Sequence, residues 1–506
     1  MTNKPFSLII LTSQQKKEIK MSLRPYQVRI NDKTNEFMKS DVQRGQIYAP
    51  TGAGKTVCFI ELIKNSIASG MINIAVLHPR LALSKDQLSR FKKDIGTDVH
   101  YTSFHSGGHE RGSETVGEKS TLVVSELVKI IDGATNILKK PHITFTTYNS
   151  YRKLVDDSVK FDLIICDEAH YLVQDQFNYL DRMDATKILF YTATPIREDM
   201  EDEETGMMDF TLFGNVIESV TPSELILGGY IVAPLPHFLE CATDKQSDTV
   251  DIIDIVAISY VHQYTEAASW GMGYHQMMVA TRNVAQDILI DLNGRIKELR
   301  DKIAKLSDGK IDTDNFDIYG VEAGGVYING SLFAGDRAQV IEQIKNSGTN
   351  AIVAHYDTLS EGIDISTLNG AVLMRSMTKA KMIQTIGRPA RPHLNDLDAD
   401  FNPRTDLFNI QSGFDVRTKR RSLITFPIID GVWLGGHNAA SISEAFITAG
   451  YDELTDYMPK GEHKPTGAGP GVDDDIVVTQ AMASVIDSKM KRDLEKLESL
   501  FDWGDI

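Results

Sequence analysis

The run Ala49-Pro-Thr-Gly-Ala-Gly-Lys-Thr56 constrains the fold of this chain more than any other stretch. It follows a strand-like segment, Gln46 to Tyr48, and precedes Val57 to Ile67, whose apolar residues are spaced for a helix. A glycine-rich turn between a strand and a helix gathers backbone N–H groups and the positive end of the helix around one anion. Within the turn Thr51-Gly52-Ala53-Gly54, the two glycines let the backbone close on phosphate oxygens. Lys55 supplies a point charge for the β- and γ-phosphates, and Thr56 a hydroxyl for Mg²⁺. The general pattern opens with glycine, where this chain has Ala49. ATP with Mg²⁺ is the expected ligand, and an α/β sheet the expected support.

The rest of the chain keeps the rhythm such a loop needs. Ile72 to Leu77, Ile143 to Thr147, Leu163 to Cys166 and Lys187 to Tyr191 are short apolar runs between segments of helical spacing. They read as buried parallel strands with helices on both faces. The pattern resumes after about residue 230 with Gln276 to Ala280, Val326 to Ile328, Ala351 to Ala354 and Gly370 to Met374. The expected fold is α/β, two tandem domains on parallel sheets over 1–220 and 221–458, with a linker near 215–235. A helical insertion is expected over about 284–325. There Leu289, Leu292, Ile296, Leu299, Ile303 and Leu306 form a 3-4-3-4-3 stripe. The stripe is too short for a coiled coil and reads as an amphipathic helix packed on its own domain. Residues 459–506 read as a small C-terminal extension: a Pro/Gly-rich linker, Pro459 to Gly471, then an acidic helical tail. Phe501 and Trp503 make that tail either a docking peptide for a protein partner or a helix folded back on the body.

A second chemical element is Phe161-Asp-Leu-Ile-Ile-Cys-Asp-Glu-Ala-His170. An apolar strand delivers two carboxylates at its C-terminal end, where open α/β sheets bind ligands. Asp167 is the candidate metal ligand alongside Thr56. Glu168 is the candidate to orient and activate an attacking water. Such a pair is common by itself; its place downstream of a phosphate loop makes it specific. Arg388 and Arg391, in Gln384-Thr-Ile-Gly-Arg-Pro-Ala-Arg391, offer guanidinium forks suited to a γ-phosphate that gains charge. Arriving from the second domain, they would couple domain closure to hydrolysis.

Composition excludes several classes. Among 506 residues, 42% are hydrophobic and 24% charged, as in ordinary globular proteins. No apolar run reaches the roughly 20 residues of a membrane span, and Phe6 to Leu11 is short for a signal-peptide core. Three scattered cysteines, Cys58, Cys166 and Cys241, form neither a disulfide scaffold nor a cysteine zinc cluster, and suggest a reducing cytoplasm. With 53 basic and 70 acidic residues the net charge is -17, which argues against a simple basic nucleic-acid coat. It leaves room for a locally basic cleft.

In order, the motifs resemble those of superfamily 2 helicases and translocases over about residues 23–395. Leu23-Arg-Pro-Tyr-Gln27 resembles the adenine-reading Q-like motif, Ala49–Thr56 motif I, His78-Pro-Arg80 motif Ia and Thr146-Thr-Tyr-Asn-Ser150 motif Ic. Asp167–His170 is a DEAH-type motif II and Thr192-Ala-Thr194 resembles motif III. Val279-Ala-Thr-Arg282 resembles motif IV, Thr358-Leu-Ser-Glu-Gly-Ile-Asp364 motif V and Gln384–Arg391 motif VI. Thr192-Ala-Thr-Pro-Ile-Arg-Glu-Asp199 is similar to the DNA-acting branch of XPB-like repair helicases, phage UvsW-type branch-migration helicases and restriction-enzyme motors.

The resemblance implies two RecA-like domains with ATP between them. It implies Gln27 at adenine, Gly362 and Asp364 near the nucleotide and its sugar, and Arg80, Thr147, Arg282 and Thr358 on a nucleic-acid backbone. It implies an ATP-dependent helicase or translocase acting on single-stranded, forked or branched DNA, in the host cytoplasm if phage-encoded. Two alternatives stay open: an RNA remodeller, since backbone contacts are largely shared between DNA and RNA, and a nucleotide-gated DNA clamp that does not unwind.

Overall fold

The computed structural model describes residues 23–79, 81–96, 98–105, 118–173, 177–193, 195, 206–241, 252–281, 295–322, 325–329, 331–333, 337–355, 365, 367–375, 377, 379–409, 412, 414–429, 432–433, 446, 451 and 476–477. The first sheet holds β1 (Arg44–Tyr48), β2 (Asn73–His78), β3 (His100–Phe104), β4 (Glu118–Thr121), β5 (His142–Thr147), β6 (Phe161–Asp167), β7 (Ala185–Thr192) and β8 (Asn215–Ser219). Their order is β4-β3-β5-β2-β6-β7-β1-β8, and every neighbouring pair is parallel. Helices α1 (Pro25–Lys39), α2 (Lys55–Ala68), α3 (Leu81–Ile95), α4 (Val124–Asp132) and α5 (Tyr148–Asp156) accompany it, with short α6 (Phe210–Phe213) and α7 (Pro222–Leu227).

Leu163, Ile164, Ile165 and Cys166 of β6 are all fully buried. A strand apolar on both faces is stable only in the middle of a covered sheet, and β6 lies there, between β2 and β7. Parallel pairing sends every C-terminal strand end to one edge. The register places Tyr48 beside Thr192, Asp167 beside Tyr191 and His78 beside Thr147. The loops after β1, β2, β5, β6 and β7 therefore open together, where such sheets bind ligands.

The second sheet contains β9 (Ala233–Cys241), β10 (Gln276–Ala280), β11 (Phe316–Glu322), β12 (Gly325–Ile328), β13 (Ser331–Leu332), β14 (Asn350–His355) and β15 (Gly370–Leu373). A separate two-stranded hairpin joins β16 (Phe408–Asn409) to β17 (Phe414–Asp415). The sheet is completed by β18 (Arg421–Ile429), β19 (Val432–Trp433) and β20 (Ile476–Val477). Its parallel body runs β11-β14-β10-β15-β18-β9, with β12 and β13 antiparallel beyond β11 and β20 antiparallel beyond β9. Its helices are α8 (Ile252–Ser269), α9 (Arg295–Leu306), α10 (Arg337–Ser347) and α11 (Lys379–Ile386). The two sheets are the α/β architecture of tandem RecA-like domains. Among the described residues no helix is long and apolar enough to cross a membrane.

Two expectations change. The stretch 215–235 is not an open linker: it holds β8, α7 and the start of β9. The stretch 284–325 is helical only at α9 among its described residues. Its later part is β11, an interior strand between β12 and β14. Apolar residues at Phe316, Ile318 and Tyr319 of β11 find burial inside the sheet. The helix itself follows the amphipathic reading: Ile296, Leu299 and Ile303 are buried with α8 residues, and Lys302 Nζ lies 2.6 Å from Asp254 Oδ1. Leu289 and Leu292 lie outside the described residues. Leu299→Ala is expected to cost about 2–5 kcal/mol in denaturant unfolding. A change within about 0.5 kcal/mol would make α9 a peripheral element.

Candidate active site

The phosphate loop begins where β1 ends. Gly52 and Gly54 have φ of 89° and 77°, a region in which side-chain-bearing residues are strained. A Cβ on Gly54 would stand 2.6 Å from Gln27 Nε2 and would displace the amide that ties α1 to the loop. The loop is tied down on both sides. The Ala49 N–H donates to the Thr192 carbonyl at 2.9 Å. The Ala53 carbonyl accepts from Gln27 Nε2 at 2.9 Å and from Tyr26 Oη at 3.0 Å. Gln27 Oε1 in turn accepts the Arg24 N–H at 3.0 Å. The amide expected at adenine thus also joins the start of α1 to the phosphate loop.

Lys55 Nζ lies 3.2 Å from Glu168 Oε1 and 3.4 Å from the Ala49 carbonyl. Glu168 has φ 51°, a left-handed backbone in a residue with a side chain. Strain of this kind costs on the order of 1–3 kcal/mol and gathers at active sites. The carboxylate of Glu168 is framed on its other side, with Oε2 3.6 Å from His170 Nδ1 and 3.5 Å from Gln384 Nε2. Burial holds the His170 ring below its usual pKa against the pull of Glu168, which favours its neutral form. Its Nδ1 is 3.0 Å from Thr192 Oγ1.

Asp167 is buried. Burial raises its pKa, but His78, Lys55 and Gln87 outweigh that and hold it below the ordinary carboxylate value. Gln87 Nε2 donates to Oδ2 at 2.7 Å, and the Glu168 N–H donates to Oδ1 at 3.0 Å. His78 Nδ1 is 3.8 Å from Oδ2, an electrostatic contact too long for a hydrogen bond. Behind the carboxylate, Tyr148 Oη donates to the Asp167 carbonyl and Tyr179 Oη to the Tyr148 carbonyl, both at 2.6 Å.

Elements associated with the second sheet complete the site. Gly387 is packed so closely that a Cβ there would stand 2.9 Å from Thr51 Cβ. The Val232 N–H donates to the Ala390 carbonyl at 2.7 Å. Arg388 is half-buried, its N–H donating to the Thr385 carbonyl at 3.2 Å. Burial, with the positive charges of Arg90 and Arg24, pushes Arg391 down to about 10. The charges of Arg90, on α3, and of Arg24, before α1, thus act on Arg391, after α11, in a chain of net charge -17.

Buried polar atoms are normally partnered. Here Thr51 Oγ1, Gln87 Oε1, Gln384 Oε1 and both ring nitrogens of His78 are buried with no hydrogen bond among the described residues. Those of Gln87, Gln384 and His78 adjoin Asp167 and Glu168, and they fit a site whose bonding is completed by phosphate oxygens and water. Thr56 and Asp167 offer oxygens of the hard kind that Mg²⁺ accepts. The described residues hold no cluster of three or more His, Cys, Asp or Glu side chains suited to another metal.

Sequence reasoning missed Gln87. The available signal was an amide on the apolar face of α3 beside Leu88 and one turn before Phe91. Thr147 is at its expected strand end, where its hydroxyl caps α5, accepting the Ser150 N–H at 3.3 Å. Arg80, Arg282, Thr358, Gly362, Asp364 and the run Arg197-Glu198-Asp199 lie outside the described residues.

Residues 20–197 match the family described as Type III restriction enzyme, res subunit, and residues 301–393 match the helicase conserved C-terminal domain. The chain is 22% identical over 394 residues to the DNA 3'-5' translocase XPB2 of Sulfurisphaera tokodaii, covering 74% of this chain and 79% of that protein. It is 21% identical over 386 residues to a putative DNA 3'-5' helicase Rad25 of Halobacterium salinarum, covering 74% of this chain and 53% of that protein. Among solved structures, the DNA-bound Type ISP restriction-modification enzyme LlaBIII shares the fold with a TM-score of 0.58 and 16% identity. That match takes in 86% of this chain and 30% of LlaBIII. The restriction-motor match thus covers the phosphate loop and the Asp167-Glu168 strand end, and the helicase C-terminal match covers Arg388 and Arg391. The chain belongs to superfamily 2 of the helicase ATPases, with XPB- and Rad25-type DNA translocases among its distant relatives.

Proposed function

We propose that this chain hydrolyses ATP to move along DNA and to unwind or branch-migrate it. The observation that carries the reading is the approach of Gln384 to Glu168 and of Gly387 to Thr51, which joins elements of both sheets at one phosphate loop. The names of the relatives, a DNA translocase and a DNA-bound restriction enzyme, support DNA as the track.

In this reading Lys55 and the N–H groups of Thr51, Gly52, Ala53 and Gly54 hold the β- and γ-phosphates. Mg²⁺, bound through Thr56 and Asp167, would supply charge neutralisation at the phosphates. Glu168, held between Lys55, His170 and Gln384, orients a water and takes its proton. Arg388 and Arg391 meet the γ-phosphate, so hydrolysis weakens the contact between the two halves. Gln27 meets adenine; Gly362 and Asp364 lie by the sugar. Arg80, Thr147, Arg282 and Thr358 hold the backbone of one strand. Alternation between closed and open states, each gripping that strand differently, gives movement.

The test is steady-state ATPase at fixed salt with no nucleic acid, single-stranded DNA, duplex, a branched junction and RNA. DNA is expected to stimulate at least about tenfold, within the usual range of coupling between sites, and the junction most. Stimulation by RNA alone would reassign the chain to RNA remodelling. No turnover under any condition would favour the clamp.

A further inference from the structure

We infer that Gln87 is a positioning residue that links the nucleic-acid-gripping segment to the metal-side carboxylate. The inference rests on the functional reading above, in which Asp167 holds Mg²⁺ and the segment after His78 meets the strand. Gln87 is 4% exposed and Asp167 5%, so the 2.7 Å bond from Nε2 to Oδ2 is shielded from water. The other carboxylate oxygen is held by the adjoining Glu168 N–H. The orientation of Asp167 is therefore set by one contact from its own strand end and one from α3.

The placement along the chain gives this bond its consequence. His78 and Gln87 both face Asp167 Oδ2, at 3.8 and 2.7 Å. Between them in sequence lie Pro79, Arg80 and the first turn of α3. The segment expected to take up a nucleic-acid backbone is thus bracketed by two side chains on one carboxylate oxygen. Further along α3, Phe91 is fully buried and meets Phe145 edge to face at 5.0 Å. That anchor sits one turn after Gln87 on the same helix face. Gln87 therefore lies between that anchor and the start of α3, so in this proposal a shift there would be felt at Asp167 through its amide. Gln87 Oε1 is buried with no hydrogen bond among the described residues, an acceptor that a water on Mg²⁺ held by Asp167 would complete.

Coupling between two sites is reciprocal: if strand binding reorients Asp167, then Mg²⁺ and nucleotide must alter strand affinity by the same factor. The test uses the full chain and fluorescence anisotropy of a labelled single-stranded DNA at fixed salt, with and without Mg²⁺ and a non-hydrolysable ATP analogue. In the wild type the analogue should change DNA affinity by at least about fivefold, the lower end of ordinary coupling. In Gln87→Met, which keeps the volume of the side chain, the change should fall below about twofold, with the melting temperature within a few degrees of wild type. If Gln87→Met does not fold, Gln87→Asn keeps an amide one methylene short of Asp167, and the same loss is expected. A variant that retains the wild-type ratio would overturn the coupling role alone. A wild-type ratio near one would overturn the reading on which it rests.

Discussion

Glu168→Gln is expected to lower ATP turnover by roughly 10²–10⁴-fold, the range that a positioned general base contributes. Nucleotide affinity should stay within a few-fold of wild type, because the substitution keeps the shape of the side chain and leaves the loop intact. Lys55→Ala should lose turnover to a similar degree and nucleotide affinity with it, since its ammonium faces the loop interior. The two variants are separable because Lys55 and Glu168 form one partly buried pair, 3.2 Å apart. Neutralising Glu168 leaves the cation in place for phosphate, whereas removing Lys55 takes away the cation itself. Turnover under saturating DNA, together with binding of a fluorescent ATP analogue, distinguishes them. Either variant with full ATPase activity would sink the assignment of this site.

Gly387→Val should reduce DNA-stimulated turnover on the order of 10²-fold, the loss expected when reacting groups are displaced by about an ångström. The first atom added at Gly387 would already stand 2.9 Å from Thr51 Cβ, and valine adds two methyls there. The relief open to the chain is separation of α11 from the phosphate loop, which withdraws Arg388 and Arg391. Binding of ATP to the loop should persist, because Gly387 is not part of it. A variant with wild-type turnover would mean that the contact with Thr51 is incidental to hydrolysis.

Elements with strong local chemistry were legible in the sequence. Near-continuous apolar runs became β2, β6 and β7, the Ile143–Thr147 candidate became β5, and the strand–glycine turn–helix pattern became β1, the loop and α2, because these are dictated within a few residues. Asp167 and Glu168 could be named for the same reason, since a strand end fixes them. The residues that orient them could not. Gln87 is distant in sequence, and only the packing of α3 brings its amide to Asp167. Gln384 approaches Glu168 from across 216 positions. The strand β11 was hidden for a different reason: a heptad-like stripe just before it drew the whole stretch toward a helical reading, while Phe316 to Glu322 is short and its apolar residues are interrupted by Asp317 and Gly320. Thr147 shows a hydroxyl whose motif suggests a ligand and whose local bonding is that of a helix cap.

The two cysteines nearest the site point to a practical property. Cys58 lies in the first turn of α2 and Cys166 immediately precedes Asp167, and both are free and fully buried. Burial pushes the Cys58 thiol up to about 12, and Cys166 is likewise raised. Oxidants and alkylating reagents act on thiolates, so neither sulfur is reactive while the lobe is closed. The nucleotide lobe carries two sealed sulfurs on either side of its chemistry. Their reactivity is therefore a clock for local opening of that lobe, set by the fold rather than by any attached probe.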